Sequence, residues 1–172
     1  MKKVWMGLWV LLLAVSLTAC STKETKPTSQ KNPATTIKED VPTFVVDGAT
    51  AKVGETFTVA VRTENNPGII ALRLFLDYDA SVLELVETTE QDFAGITFGP
   101  IEKDPFVILW LDAIHPDNAT NGVIATLTFR VRDDAPLGTT KLSLSYDPDD
   151  IFNAALENIT FDTLTAPVTV EG

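Results

Sequence analysis

The chain has 172 residues, a formal net charge of −11 and a single cysteine. This length suits one domain with appendages, and the lone cysteine excludes both an intramolecular disulfide and a cysteine-based zinc site. The acidic balance repels nucleic acid and anionic lipid surfaces, so we expect neither as a partner.

The N-terminal twenty residues have the composition of an export signal. A basic start precedes an apolar run over residues 4–15, which is too short and wrongly flanked for a membrane-spanning helix. Residues 17–20, Leu-Thr-Ala-Cys, resemble the bacterial lipobox. The resemblance implies a lipoprotein signal peptide over residues 1–19 and a lipidated Cys20 that begins the mature protein. The alternative is an ordinary cleaved signal with Cys20 as an incidental thiol.

A polar segment, residues 20–41, follows the signal and consists mainly of Ser, Thr, Lys, Pro, Gln and Asn. It has too few apolar side chains to offset the entropy of ordering, which predicts a flexible tether. Two or more acyl chains at Cys20 would anchor the protein stably, whereas one chain binds only marginally. The sequence therefore predicts an exported protein, lipid-anchored to the bacterial cell membrane or envelope and facing outward.

Residues 42–172 have the pattern of a single all-β domain. Short apolar runs alternate with a period of two and are separated by clusters of Gly, Pro, Asn and Asp. No amphipathic run reaches helical length, so the pattern favours a β-sandwich. The nine predicted strands are Thr43–Asp47, Thr56–Thr63, Ile70–Tyr78, Leu83–Thr88, Phe106–Asp112, Gly122–Arg132, Thr140–Tyr146, Ile159–Thr163 and Pro167–Val170.

The fifth predicted strand breaks the alternation because it is apolar on both faces. An antiparallel sandwich strand normally turns one face to the core and the other to water. If strands three, five and six are neighbours, their outward side chains form an apolar patch typical of an interaction surface. The alternative is that a loop, Glu90–Lys103, covers the patch. The patch comprises Phe75, Val107, Leu109, Leu111 and Ile124, rimmed by Arg73, Asp77, Asp112 and Thr126.

Several segments, in this order, resemble the cohesin family, and the resemblance covers about residues 43–171. The most informative runs from Gly68 to Leu85, with Gly-Ile at its start and Tyr-Asp-Ala-Ser-Val-Leu-Glu near its end. The resemblance implies a nine-stranded jelly-roll β-sandwich that captures dockerin domains. The other segments are residues 51–59, 107–112, 122–131, 135–138 and 168–170.

The resemblance also implies a dockerin-binding face on strands three, five and six. Cohesins of the scaffoldin-internal kind often have Asn and Asp at the positions of Ala71 and Arg73, where they hydrogen-bond dockerin Ser/Thr pairs. Here the Asp is replaced by an arginine, which reverses the charge, so we hypothesise that Arg73 selects a dockerin, or another ligand, with an acceptor or acid at the matching site. The positions implied are Ala71, Arg73 and Asp77 on strand three, Val107, Leu109 and Asp112 on strand five, and Thr126 on strand six.

Catalytic motifs are absent from the sequence: there is no Gly-x-Ser-x-Gly, no metal-spaced His pair and no phosphate-binding glycine loop. The sole histidine, His115, precedes a proline in a predicted loop. The segment 147–150 is acidic but lacks the glycine and closing glutamate of a calcium-binding EF-hand loop, so we interpret it as a turn. We therefore predict no enzymatic activity, cofactor or metal.

Three functions remain open from the sequence. The first is envelope-anchored, non-catalytic capture of dockerin-bearing proteins in polysaccharide degradation. The second is a carbohydrate-binding β-sandwich, with polysaccharide as the ligand. Such modules need a planar row of exposed aromatic rings, whereas Trp110 is predicted to point inward and Phe75 is the clearest outward ring. The third is a structural envelope lipoprotein without a dockerin partner.

Overall fold

The computed structural model describes residues 37–172, so the predicted signal peptide, Cys20 and residues 21–36 of the predicted tether lie outside the described residues. Within that range no helix has the length and apolarity needed to cross a membrane. A single turn of 3-10 helix covers Pro148–Asp150. The strands are β1 (Thr43–Val46), β2 (Ala49–Lys52), β3 (Thr56–Glu64), β4 (Ala71–Asp77), β5 (Leu83–Glu90), β6 (Thr97–Phe98), β7 (Phe106–Leu111), β8 (Gly122–Val131), β9 (Gly138–Ser145), β10 (Asp162–Leu164) and β11 (Ala166–Glu171).

The strands form two sheets, one of five strands in the order β10-β1-β3-β8-β5 and one of six in the order β2-β11-β9-β4-β7-β6. The predicted all-β sandwich is confirmed, with eleven strands rather than nine. The two additional strands, β2 and β6, have four and two residues, too few to show a period-two pattern in the sequence. They form because each pairs along a longer neighbour, β2 with β11 and β6 with β7.

The inward faces of the two sheets share one apolar core. Leu72, Leu74 and Leu76 of β4 have no exposed surface, which confirms the alternation predicted for that strand. The core continues to the far end of the sandwich, where the rings of Phe44 and Phe161 stack with centroids 4.2 Å apart. Burial of these apolar surfaces is the main force that holds the two sheets together.

A β-bulge in β8 displaces Ile124 from the position that alternation predicts. Ala125 pairs with Val61 and Val123 pairs with Arg62, so Ile124 is an extra residue between two ladder positions. As a result both Ile124 and Ala125 are fully buried, while Val123 is half-buried. The prediction that Ile124 faces outward is wrong, because period-two counting fails across a bulge.

The chain contacts the sandwich earlier than the predicted domain start at residue 42. The Lys38 ammonium lies 2.9 Å from the Asp162 carboxylate, and the Asn65 side-chain amide donates to the carbonyl oxygens of Lys38 and Val41. Residues 38–41, which the sequence assigns to the tether, therefore lie against the domain.

Candidate functional site

Strand β4 lies between β7 and β9 in the six-stranded sheet, whereas β8 belongs to the opposite sheet. Thr126 of β8 pairs with Ala60 of β3 and faces outward on the other side of the sandwich. The predicted adjacency of the third and fifth predicted strands, which are β4 and β7 in the structure, is confirmed. The predicted adjacency of the sixth, which is β8, is wrong. Alternation shows which face a side chain occupies, but it does not show which strands are neighbours.

An apolar strip, consisting of Phe75, Val107, Leu109 and Leu111, crosses the outer face of β4 and β7. Leu109 is 38% exposed and Leu111 is 61% exposed, and the other two side chains are half-buried. Contiguous apolar surface of this kind, bordered by polar groups, marks an interaction surface. The outward cross-strand pairs are Phe75 with Val107, Arg73 with Leu109, and Ala71 with Leu111.

The loop between β5 and β7 does not cover the apolar strip. Phe93 of this loop is fully buried and packs edge-to-face against Trp110, with ring centroids 5.2 Å apart. The Trp110 indole N–H donates to the Ala94 carbonyl at 3.0 Å. Because Trp110 points inward, these contacts hold the loop to the edge and inner side of the sheet. The alternative that this loop hides the strip is therefore wrong.

Strand β9 adds polar groups to the strip on its other side. Ser145 pairs with Phe75, and Ser143 pairs with Asp77. Asp77 is exposed, and the Ser145 hydroxyl lies 3.5 Å from its carboxylate. The sequence shows Ser143 and Ser145 as outward residues but gives no signal that they neighbour β4, so the prediction misses them as candidate contacts.

Arg73 forms an ion pair with Asp150, whose Oδ2 lies 3.1 Å from the arginine Nη1. Asp150 ends the 3-10 helix, which begins where Asp147 accepts a hydrogen bond from the backbone N–H of Asp149 at 3.0 Å. The turn predicted for residues 147–150 is confirmed. Its contact with Arg73 could not be predicted, because 77 residues separate the partners along the chain.

The carboxylates of the acidic segment 147–150 are engaged within the chain. Besides the contacts of Asp147 and Asp150, the Asp149 carboxylate accepts a hydrogen bond from the Asn158 side-chain amide at 2.7 Å. In the part of the chain that the structure describes, no group of three His, Cys, Asp or Glu residues could hold a metal ion. These carboxylates therefore shape the segment that follows β9.

Ala71 contributes almost no surface to the outer face, because it is only 6% exposed. The segment after the 3-10 helix pairs with this end of β4. The Phe152 carbonyl accepts the backbone N–H groups of Ile70 at 2.9 Å and Ala71 at 3.3 Å. The expectation that the Ala71 side chain offers a contact surface is therefore wrong.

Asp112 follows β7 and holds the next loop in place. Its carboxylate accepts the backbone N–H groups of Ile114 at 3.3 Å and His115 at 3.2 Å, and its Oδ2 lies 2.8 Å from His115 Nδ1. The hydrogen bond with the His115 ring is the main cause that lowers the pKa of the Asp112 carboxyl below its ordinary value. His115 lies in an exposed loop, as predicted.

Comparison with known proteins identifies the family. A sequence model of the cohesin domain matches residues 42–150. This chain belongs to the cohesin family. Cohesin domains are non-catalytic protein–protein interaction modules, so the prediction that the domain is not an enzyme is confirmed.

Cellulose-binding protein A of Clostridium cellulovorans is 30% identical to this cohesin over 135 residues, which are 74% of this chain and 7% of that protein. The chain thus spans only a small part of this relative's length.

Solved cohesins have the same fold. An OlpA cohesin of Clostridium thermocellum, in complex with a dockerin, is 18% identical with a TM-score of 0.67, covering 76% of this chain and 99% of that one. The seventh type I cohesin of ScaB from Pseudobacteroides cellulosolvens is 24% identical with a TM-score of 0.64, covering 77% and 93%. A non-cellulosomal cohesin of the archaeon Archaeoglobus fulgidus is 19% identical with a TM-score of 0.65, covering 77% and 92%.

Proposed function

We propose that this cohesin captures dockerin-bearing proteins through the outer face of β9, β4, β7 and β6. The observation that carries the proposal is the partly exposed apolar strip on an interaction module whose opposite outer face is polar. An apolar centre with a polar rim is the usual composition of a protein interface core. The structurally similar OlpA cohesin forms a complex with a dockerin, which supports the same class of partner here.

An envelope location is part of the proposal, and the N-terminal sequence supports it. Residues 1–19 would direct export, and acylation of Cys20 would fix the chain to the membrane. A polar tether of some twenty residues would give the domain a reach on the order of 20 Å from the anchor. Dockerin-bearing enzymes that degrade polysaccharides would then be held at the cell surface. The Clostridium cellulovorans relative is named as a cellulose-binding protein, which supports the link to polysaccharide.

The test is calorimetric titration of the chain from residue 21 onward with each dockerin domain that the same genome encodes. Leu109→Asp places a charge in the middle of the apolar strip. It should lower the affinity for any bound dockerin at least about 100-fold, since burying a charge in an interface costs several kcal/mol, and pairing of the new carboxylate with Arg73 across the sheet would withdraw that cation from the partner. Thr128→Asp, a matched change on the opposite outer face, should leave the affinity unchanged.

The other hypotheses are outcomes of the same experiment. Retention on insoluble glucan with no dockerin bound would favour a carbohydrate-binding module, and neither activity would favour a structural lipoprotein. Among residues 37–172 the exposed large apolar side chains are all aliphatic, and the outward ring of Phe75 is half-buried, which gives sugars little ring surface to stack on. The exposed aliphatic side chains are Val53, Val86, Leu109, Leu111, Ile114, Leu137 and Leu156.

A further inference from the structure

We propose that Asp150 is a positioning residue, which holds the Arg73 side chain in place to bind a carboxylate of the partner. This inference rests on the proposed docking face. The pair joins the middle of β4 to the 3-10 helix after β9. It thereby makes the segment 147–150 part of the docking face, although the sequence shows this segment only as a turn.

Arg73 borders the apolar strip, and Asp150 is its ion-pair partner. Across the sheet it faces Leu109 of the apolar strip, and Phe75 follows on the same face of β4. Of the hydrogen bonds in residues 37–172, the one to Asp150 is the only one that the Arg73 side chain makes. A guanidinium carries five N–H donors, so most of its donors rely on water while its side chain is 47% exposed.

A docked partner would remove this water from Arg73. Donors buried without an acceptor are strongly unfavourable, so a partner that covers the strip must supply oxygen acceptors at this point. A carboxylate matches the planar fork of a guanidinium with two parallel hydrogen bonds. Residues 37–172 contain only 8 basic side chains beside 23 acidic ones. An acid of the partner that pairs with the fixed Arg73 would therefore set the register of docking.

Asp150 prepares Arg73 for this contact before the partner arrives. Its own side chain is only 23% exposed, and the capped 3-10 helix restrains its backbone. A long arginine side chain loses rotamer freedom when it is fixed, and a fixed arginine binds without that loss at the moment of docking. Asp150 therefore raises affinity through Arg73 without itself receiving the partner's carboxylate.

The experiment compares two charge swaps in the chain from residue 21 onward, which contains the complete sandwich. One variant exchanges the pair as Arg73→Asp with Asp150→Arg, and the control exchanges Arg130→Asp with Asp133→Arg, an ion pair of the opposite sheet. The ligand is the dockerin domain that binds the wild-type chain most tightly. Both swaps keep an ion pair and should melt within a few degrees of wild type, but only the first should weaken binding, about tenfold or more.

A second measurement identifies the partner's acid. Each exposed aspartate or glutamate of that dockerin is replaced by its amide, and every form is titrated against wild type, Arg73→Gln and Asp150→Asn. One amide replacement should weaken binding to wild type about tenfold and leave binding to Arg73→Gln unchanged. Asp150→Asn should weaken the binding of the wild-type dockerin by a smaller factor than Arg73→Gln does. That factor should shrink when the dockerin lacks the same acid.

The outcomes separate this inference from the proposed function. If Leu109→Asp abolishes binding while Arg73→Gln does not alter it, the inference is overturned and the docking face stands. The inference is likewise overturned if the Arg73–Asp150 swap binds as tightly as wild type, or if no dockerin acid couples to Arg73. If no dockerin binds the wild-type chain, the proposed function and the inference both fail.

Discussion

The two outer faces of the sandwich differ in polarity, although the strands beneath them bury their inward side chains equally well. On the five-stranded sheet, Thr58 of β3 and Thr128 of β8 pair with their hydroxyls 3.4 Å apart, in the polar pattern expected of a solvated sheet face. On the six-stranded sheet, the corresponding centre is the apolar strip. Because the core does not need these outward apolar side chains, they support the proposal that this face docks a partner.

The two faces also differ in the ion pairs that Arg130 and Arg73 form. Arg130 of β8 pairs with Asp133, three residues along the chain, in a local surface contact. Arg73 of β4 pairs with Asp150, which lies 77 residues further along the chain. Exposed ion pairs contribute about 0–1 kcal/mol to stability, so neither pair explains the fold. A long-range pair that borders the apolar strip supports the proposed role of Arg73 in recognition.

The largest expected effect tests the difference between the two faces at Ile124. The sequence predicts this residue on the docking face, whereas the structure buries it. Ile124→Ala should lower the free energy of unfolding by about 2–5 kcal/mol, because it leaves a cavity in the core. Urea denaturation measures this loss. Below the unfolding transition, dockerin affinity should equal that of wild type, since β8 lies on the opposite sheet.

Thr126→Ala is the control for this measurement, because Thr126 is the next outward residue of β8. It should change stability by no more than about 0.5 kcal/mol and should not change affinity. If either variant keeps its stability but binds dockerin more weakly, the docking face lies on the five-stranded sheet. The proposed assignment to the six-stranded sheet is then wrong.

Ile124 also shows how far the sequence alone predicts this structure. Period-two alternation predicted the inward faces of β4 and β7 because those strands have no bulge, and the doubly apolar β7 predicted the apolar strip on the outer face. The bulge beside Ile124 leaves no mark in the alternation. The placement of β9 beside β4 and the reach of Asp150 to Arg73 depend on strand order and long-range packing. No local pattern encodes either of them.

A smaller effect tests whether the loop before β7 is separate from the docking face. Trp110→Phe removes the indole N–H that donates to the Ala94 carbonyl. A hydrogen bond of this kind contributes about 0.5–1.5 kcal/mol, and the smaller ring also loosens the contact with Phe93. We expect a lower urea midpoint and faster amide hydrogen exchange at residues 93–98. Unchanged dockerin affinity is expected, and a clear loss of affinity would extend the docking face onto this loop.

The smallest effect concerns Asp112 at the rim of the apolar strip, and it distinguishes a carboxylate used within the chain from one that meets the partner. His115→Ala should raise the pKa of the Asp112 carboxyl toward its ordinary value, because the hydrogen bond with His115 is the largest cause of its lowering. Since folding lowers this pKa, Asp112 stabilises the fold at pH values above its unfolded pKa, and that contribution disappears as the pH falls through the folded pKa. A carbon-detected NMR titration of the carboxyl follows both values. An unchanged pKa in His115→Ala would assign the shift to the backbone N–H groups of Ile114 and His115, and a further change on adding dockerin would show that Asp112 contacts the partner.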